Sequence, residues 1–358
     1  MKILSEGTIM QLQGRLGYFA WPSVSRLKDG TFIAVASGYR MRHICPFGRV
    51  VASYSADGKL WTPPGVILDT GLDNRDAGVL VLKSGKVLVS TFTSHRETLR
   101  RAVPFFECAD QKKVLVENYI DQTEESLYER YEGGLLAFSD DGIHFSDAVC
   151  VGLSAPHGPV QLGDGRILYV GTKAKGKADE EGIFYSFSED EGKTWSQFRE
   201  IPLPETNGLS FYEPTATETE DHRILVQLRV QTKETSPEGI SLRPLTVYQC
   251  ESCNGGETFS IPEPLGIIGS PPHLYAHSSG VLVMTYGRRE LPCGIRGRIS
   301  LDSGRTWKDE FSLSKDVEYF DLGYPCTCET DDGSLLTVYY QSDAKGKNAA
   351  IKFVVWEL

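Results

Sequence analysis

The chain has 358 residues, with 36 Gly, 18 Pro, 40% hydrophobic residues and a formal net charge of −11 at pH 7. That acidic balance argues against a nucleic acid or an anionic membrane as partner, and it requires any anion site to be a local basic patch. Nothing approaches a membrane span, and the start, MKILSEGTIMQ, lacks an apolar core long enough for a signal peptide, so a cytoplasmic location is expected.

Along the chain, one pattern recurs six times: a polar turn followed by a run of β-branched and aromatic residues. It reads RLKDGTFIAVASG from Arg26, VLKSGKVLVSTF from Val81, QLGDGRILYVGT from Gln161, TEDHRILVQLR from Thr219, AHSSGVLVMTYG from Ala276 and ETDDGSLLTVYY from Glu329. A two-residue turn set before such a run signals a hairpin. The turns near Gly30, Gly85, Gly165, Asp221, Gly280 and Gly333 are 55, 80, 56, 59 and 53 residues apart.

A second signature is interleaved: SADGKLW from Ser55, SDDGIHF from Ser139, SEDEGKTW from Ser188, SCNGGETF from Ser252 and SLDSGRTW from Ser300. Asp or Asn bonds the amides of a turn, Gly accepts positive φ, and the aromatic buries itself against a neighbouring sheet. Two hairpins per repeat make a four-stranded blade, so the period predicts an all-β, six-bladed β-propeller over residues 1–358 as a single domain. The last repeat is short of a strand after Ala349–Glu357. The segment around Leu4 to Leu12 is expected to pair there and close the ring.

Residues 93–134 interrupt the regularity. SHRETLRR and TEESLYERYEG contain good helix formers, so short helices are expected, serving as a lid or as a solvated excursion. The eight cysteines are scattered; Cys250 and Cys253 have no second pair to complete a zinc site, and all are read as reduced thiols with no metal or other cofactor.

Blade geometry places the starts of the inner strands and the ends of the second strands on one face, around the axis. The starts hold Trp21, Arg75 and Asp76, His157, Glu213, His273 and Tyr324. The ends hold Arg40, Arg42, His43, His95, Lys173, Arg229, Arg288, Arg289 and Gln341. Histidines and arginines thus converge on one mouth of an acidic protein. Each has a plainer reading: Trp21 as packing, Arg75 and Asp76 as a pair, His157 and His273 as satisfied strand-end residues. Arg288 and Arg289 cannot both point inward along an extended strand. Glu213 and Tyr324 stand out, because a carboxylate beside a phenol makes it a nucleophile; two polar residues lining a wet channel is the alternative.

At these positions the chain resembles the sialidase (neuraminidase) superfamily, six-bladed propellers with repeated Asp boxes (BNR repeats). The resemblance implies Tyr324 as nucleophile and Glu213 as its activating base. It also implies Arg229 as a carboxylate ligand, with Arg296 or Arg288 as a further one. The sequence departs from the family in three places. Ala20 stands where the first arginine of an Arg-Ile-Pro signature belongs, Arg42 and His43 occupy the loop of the acid/base Asp, and Gln341 replaces the supporting Glu.

The expected function is therefore a sialidase-like exo-glycosidase, with carbohydrate as partner and an acidic terminal sugar among the candidates but sialic acid in doubt. Asp76 or His43 would be the acid, and Arg42, Arg75, Trp21, His157, His273 and Gln341 further substrate contacts. A non-catalytic carbohydrate-binding propeller and a polysaccharide lyase are the alternatives.

Overall fold

A computed structural model describes residues 1–105, 110–173, 182–206, 208–234, 244–314, 317, 319–344 and 346–358. The chain is an all-β propeller. The polar-turn repeats fold as antiparallel hairpins, for instance Phe32–Arg40 on Tyr18–Arg26 and Leu335–Ser342 on Leu322–Glu329.

The expected six separate four-stranded blades are not found. Four sheets of four or five strands stand apart, and the remaining eight strands form one continuous sheet. The four begin at Asn74–Val81, Leu153–Ser154, Leu209–Glu218 and Pro272–Ala276. The eight-stranded sheet joins both ends of the chain, because Ala349 on the strand Ala349–Glu357 pairs in parallel with Tyr18. Leu335–Ser342 pairs with one edge of that strand, and the N-terminal strand Lys2–Met10 pairs with the other, the edge that also holds the Tyr18 bridge, with Gly7 opposite Phe353. The sheets meet side by side through their first strands: Tyr18–Arg26 lies against Asn74–Val81 and Leu322–Glu329, which in turn lies against Pro272–Ala276.

In the five serine-containing turns, each serine hydroxyl donates to the Asp or Asn two residues on, at 2.7–3.1 Å. Asp57 Oδ1 then accepts the amides of Lys59 and Leu60, each at 2.8 Å, which fixes the turn locally. The aromatics that follow, Trp61, Phe145, Trp195, Phe259 and Trp307, pack into the apolar clusters. These clusters are the core. Burying such side chains drives folding at about 25 cal/mol per Å² of apolar surface.

Between Val87–Thr93 and Gly133–Ser139 the described residues include three α-helices, Arg96–Ala102, Asp110–Gln122 and Glu125–Tyr131, and a short 3-10 turn, Val103–Phe105. His95 caps the first of them, its Nδ1 accepting the Glu97 amide at 3.1 Å, and Arg96 lies over the Tyr128 ring. Both side chains therefore hold the insertion together. Among the described residues no helix is long and apolar enough to cross a membrane. The seven described cysteines are unbridged.

Candidate active site

Four inner strands share a backbone device. Trp21, Asp76, Glu213 and Tyr324 have φ of +54°, +47°, +46° and +50°. Each sits where the pairing with the next strand slips register: Ala20 to Ser23, Arg75 to Gly78, Tyr212 to Thr215 and Gly323 to Cys326. These are bulges that re-aim a side chain. A left-handed non-glycine residue costs on the order of 1–3 kcal/mol and persists only where the surroundings enforce it. Pro22, Pro214 and Pro325 follow three of the four and keep the preceding residue out of the right-handed helical region.

The bulges bring Tyr324 and Glu213 together. The Tyr324 hydroxyl donates to Glu213 Oε1 at 2.5 Å. Arg229 Nη1 donates to Glu213 Oε1 and Oε2 at 3.0 and 2.8 Å and reaches the phenol oxygen at 3.4 Å, while its Nη2 donates to Gln231 at 2.8 Å. Burial opposes the Glu213 charge, but Arg229 and the bonds from Tyr324 and Arg229 outweigh it and hold the carboxyl below its ordinary value. Burial and then the Glu213 charge hold the Tyr324 phenol well above its own. The resting state is a neutral phenol bonded to a carboxylate.

Asp76 is 8% exposed, and burial pushes its carboxyl up to about 7, against Arg75, with Glu213 adding to the rise. A cleft of about 540 Å³ opens beside it, lined by both Asp76 and Glu213. Arg75 does not form the simple pair with Asp76; its guanidinium lies 4.8 Å from the Trp21 ring and 5.4 Å from that of Phe92. Trp21 is buried, with Arg40 on it at 4.9 Å.

Arg40 is fully buried and forms a bidentate pair with Asp73, at 2.5 Å to Oδ1 and 3.1 Å to Oδ2. A Cβ at Gly48 would overlap both side chains. This arginine is consumed by structure.

His43 is placed beside Trp21, ring centroids 4.9 Å apart, and its Nδ1 lies 3.0 Å from the Tyr18 hydroxyl and 3.6 Å from Asp321. Asp321 accepts from Tyr18 and Tyr340, each at 2.8 Å. Desolvation holds the imidazole below its ordinary value in spite of Asp321. Its other side lines a separate cavity of about 370 Å³ with Arg42 and with Thr98 and Arg101 of the insertion.

Several expected contacts lie elsewhere. Arg296 is buried, donating to Ser312 Oγ at 2.8 Å and Pro292 O at 3.0 Å, and Arg288 pairs with Glu310. Both line an outer cavity with Ile3 and Glu6. Gln341 lines another with Gln11 and Asn348. Their neighbours face the site instead: Arg289 lies 5.8 Å from the Tyr324 ring, and Tyr340 5.9 Å. Strand parity decides both cases.

His157 and His273 meet edge to face, ring centroids 4.8 Å apart, and are bonded to Ser23 and Cys326. Desolvation takes His157 down to about 3 and His273 well below its usual value, so both are neutral. The sequence reading did not include Asp321; Arg289 stood among its mouth residues, but Arg288 and Arg296 were preferred to it as substrate contacts, and Gln341 to its neighbour Tyr340. A signal for Asp321 was its place three residues before Tyr324.

No protein-family model matches the chain, and no curated protein matches it. Solved structures do. A protein of unknown function from Dyadobacter fermentans is 22% identical, covering 99% of this chain and 98% of that one, at a TM-score of 0.76. The NanB sialidase of Streptococcus pneumoniae is 13% identical, covering 98% of this chain and 70% of its own, at 0.70. The GH93 α-L-arabinofuranosidase of Fusarium graminearum is 14% identical, covering 99% and 98%, at 0.68. The last two are glycoside hydrolases. At these identities the likeness is one of fold, and the chain shares the β-propeller fold of these proteins.

Proposed function

We propose that the chain is an exo-acting glycosidase whose nucleophile is Tyr324, with Glu213 as base and Asp76 as acid. The observation that carries this reading is the 2.5 Å bond from the neutral phenol to an ionised carboxylate. A nucleophile must be deprotonated as it attacks, and an adjacent base lets this happen without a costly free phenolate. The Tyr324 proton passes to Glu213 while the phenol oxygen bonds to the anomeric carbon. The bond from that carbon to the leaving oxygen breaks, and that oxygen takes the proton of Asp76. Water, deprotonated by Asp76, then releases the sugar as the phenol recovers its proton.

Asp76 is preferred to His43 because it lines the same cleft as Glu213 and stays half-protonated near neutrality. The sugar is not sialic acid in this reading. Trp21 follows Ala20 where a clamp arginine would stand, Arg40 is tied to Asp73, and Arg229 is engaged with Glu213. A panel of methylumbelliferyl glycosides, including a sialoside and an α-L-arabinofuranoside, tests this: turnover of a non-sialic member supports it, while turnover of the sialoside alone refutes the sugar assignment.

A further inference from the structure

Arg229 and Gln231 lie two residues apart on the strand Ile224–Thr232 and so share a face. Gln231 Oε1 accepts from Arg229 Nη2 at 2.8 Å, and Nη1 of the same fork donates to Glu213 Oε1 and Oε2 at 3.0 and 2.8 Å. The third nitrogen, Nε, is buried and makes no hydrogen bond among the described residues. Away from Glu213 and Tyr324, Gln231 is therefore the one anchor of the guanidinium among the described residues. A neutral amide suits that place, because a carboxylate there would compete with Glu213 for the same charge.

The place of Nη1 matters once the proton moves. It lies 3.4 Å from the Tyr324 oxygen, about half an ångström beyond an ordinary N–H···O bond. When the Tyr324 proton passes to Glu213 Oε1, the negative charge passes from the carboxylate to the phenol oxygen, and Arg229 gives up no proton. A small swing of Nη1 then turns its bond from the carboxylate to that oxygen. A donor aimed at the place where charge develops favours the transition state over the resting site.

We propose that Arg229 is a catalytic residue that follows the charge from Glu213 to Tyr324, and that Gln231 is the positioning residue that keeps its fork on both. The proposal rests on the assignment of Tyr324 and Glu213 as nucleophile and base. It departs from the carboxylate-ligand role that the family resemblance implies for Arg229, because both terminal nitrogens of the fork are engaged by Glu213 and Gln231.

Carbon-13 NMR of the Glu213 carboxyl in the full chain, recognised as the resonance lost in Glu213→Gln, tests the positioning role without turnover. In the wild type this carboxyl should titrate below its ordinary value. Gln231→Met fills the same space but offers Nη2 no amide oxygen. Burial is then less opposed, and the titration should move up by about one unit, a tenfold change in the acid constant. Tyr324, Arg289 and Asp76, which also act on Glu213, are untouched. On the aryl glycoside that the wild type turns over fastest, Gln231→Met should lower kcat about tenfold and leave KM unchanged, the loss of one charged hydrogen bond in the transition state. An unshifted titration would overturn the role of Gln231. An intact kcat, whether or not KM rises, would overturn that of Arg229. If the titration shifts but the wild type turns over no aryl glycoside, the glycosidase reading fails and the catalytic role of Arg229 with it, while Gln231 stands as the residue that holds Arg229 on Glu213.

Discussion

The Tyr324 hydroxyl and Glu213 Oε1 lie 2.5 Å apart although 111 residues separate them in the chain. Two strained inner-strand starts, φ +50° and +46°, are needed to make that contact. Arg229 holds Glu213 by both oxygens, so the carboxylate is oriented, and its charge favoured, without any ligand. Strain at this point fits a site whose geometry is fixed in advance.

Rate should depend on pH through Asp76. The acid must carry its proton, and its carboxyl sits near 7, so turnover of a glycoside with a poor leaving group should fall as pH rises through about 7. Asp76→Asn should lower that rate by roughly 10²–10⁴ and affect an activated aryl glycoside much less. A pH–rate profile of the wild type, with both substrates compared in the variant, checks this.

The same group should leave a mark on stability. Its value in the folded chain is raised, so its contribution is full below the ordinary carboxylate value and is lost as pH climbs to about 7. Asp76→Asn, which carries no charge, should therefore raise Tm at pH 8 and have little effect at pH 4. An equal shift at both pH values would contradict the assignment of a buried, reluctantly charged carboxyl.

Arg40 and Asp73 form a pair with both side chains fully buried. Removing one partner leaves an uncompensated charge, so Asp73→Ala should cost about 3–5 kcal/mol in urea denaturation. A loss below 1 kcal/mol, the size of an exposed pair, would show that water reaches Arg40.

Lys2–Met10 covers one edge of Ala349–Glu357. Deleting residues 1–10 should lower Tm and promote aggregation through the bared strand. An unchanged Tm and a monomeric profile in size-exclusion chromatography would mean that the terminal strand adds nothing to closure.

Much of the fold was legible because its signals are local. The turn at Ser139–Asp141 needs only neighbouring residues, and so do the hairpin at Gly30 and the helix formers after His95. The number of separate sheets was not. Whether Tyr18 pairs with Ala349 is decided by how the ends of the chain meet, which no local pattern encodes. That Tyr324 and Glu213 meet was expected from their strand-start positions and the family resemblance, and the two side chains are hydrogen-bonded. Arg288, Arg296 and Gln341 were preferred to Arg289 and Tyr340 because neighbouring residues point to opposite sides and the sequence does not say which of the two faces the axis. Asp321 escaped because its partners, Tyr18, His43 and Tyr340, come from three other segments.

The most direct test of the central claim compares wild type, Tyr324→Phe and Glu213→Gln on the methylumbelliferyl glycoside that the wild type turns over fastest. Tyr324→Phe removes the nucleophilic oxygen and should leave only background release. Glu213→Gln keeps the shape and should lose roughly 10²–10⁴ in kcat. Circular dichroism should show both variants folded. Absence of turnover of every glycoside by the wild type, or Tyr324→Phe at the wild-type rate, would contradict a glycosidase with Tyr324 at its centre.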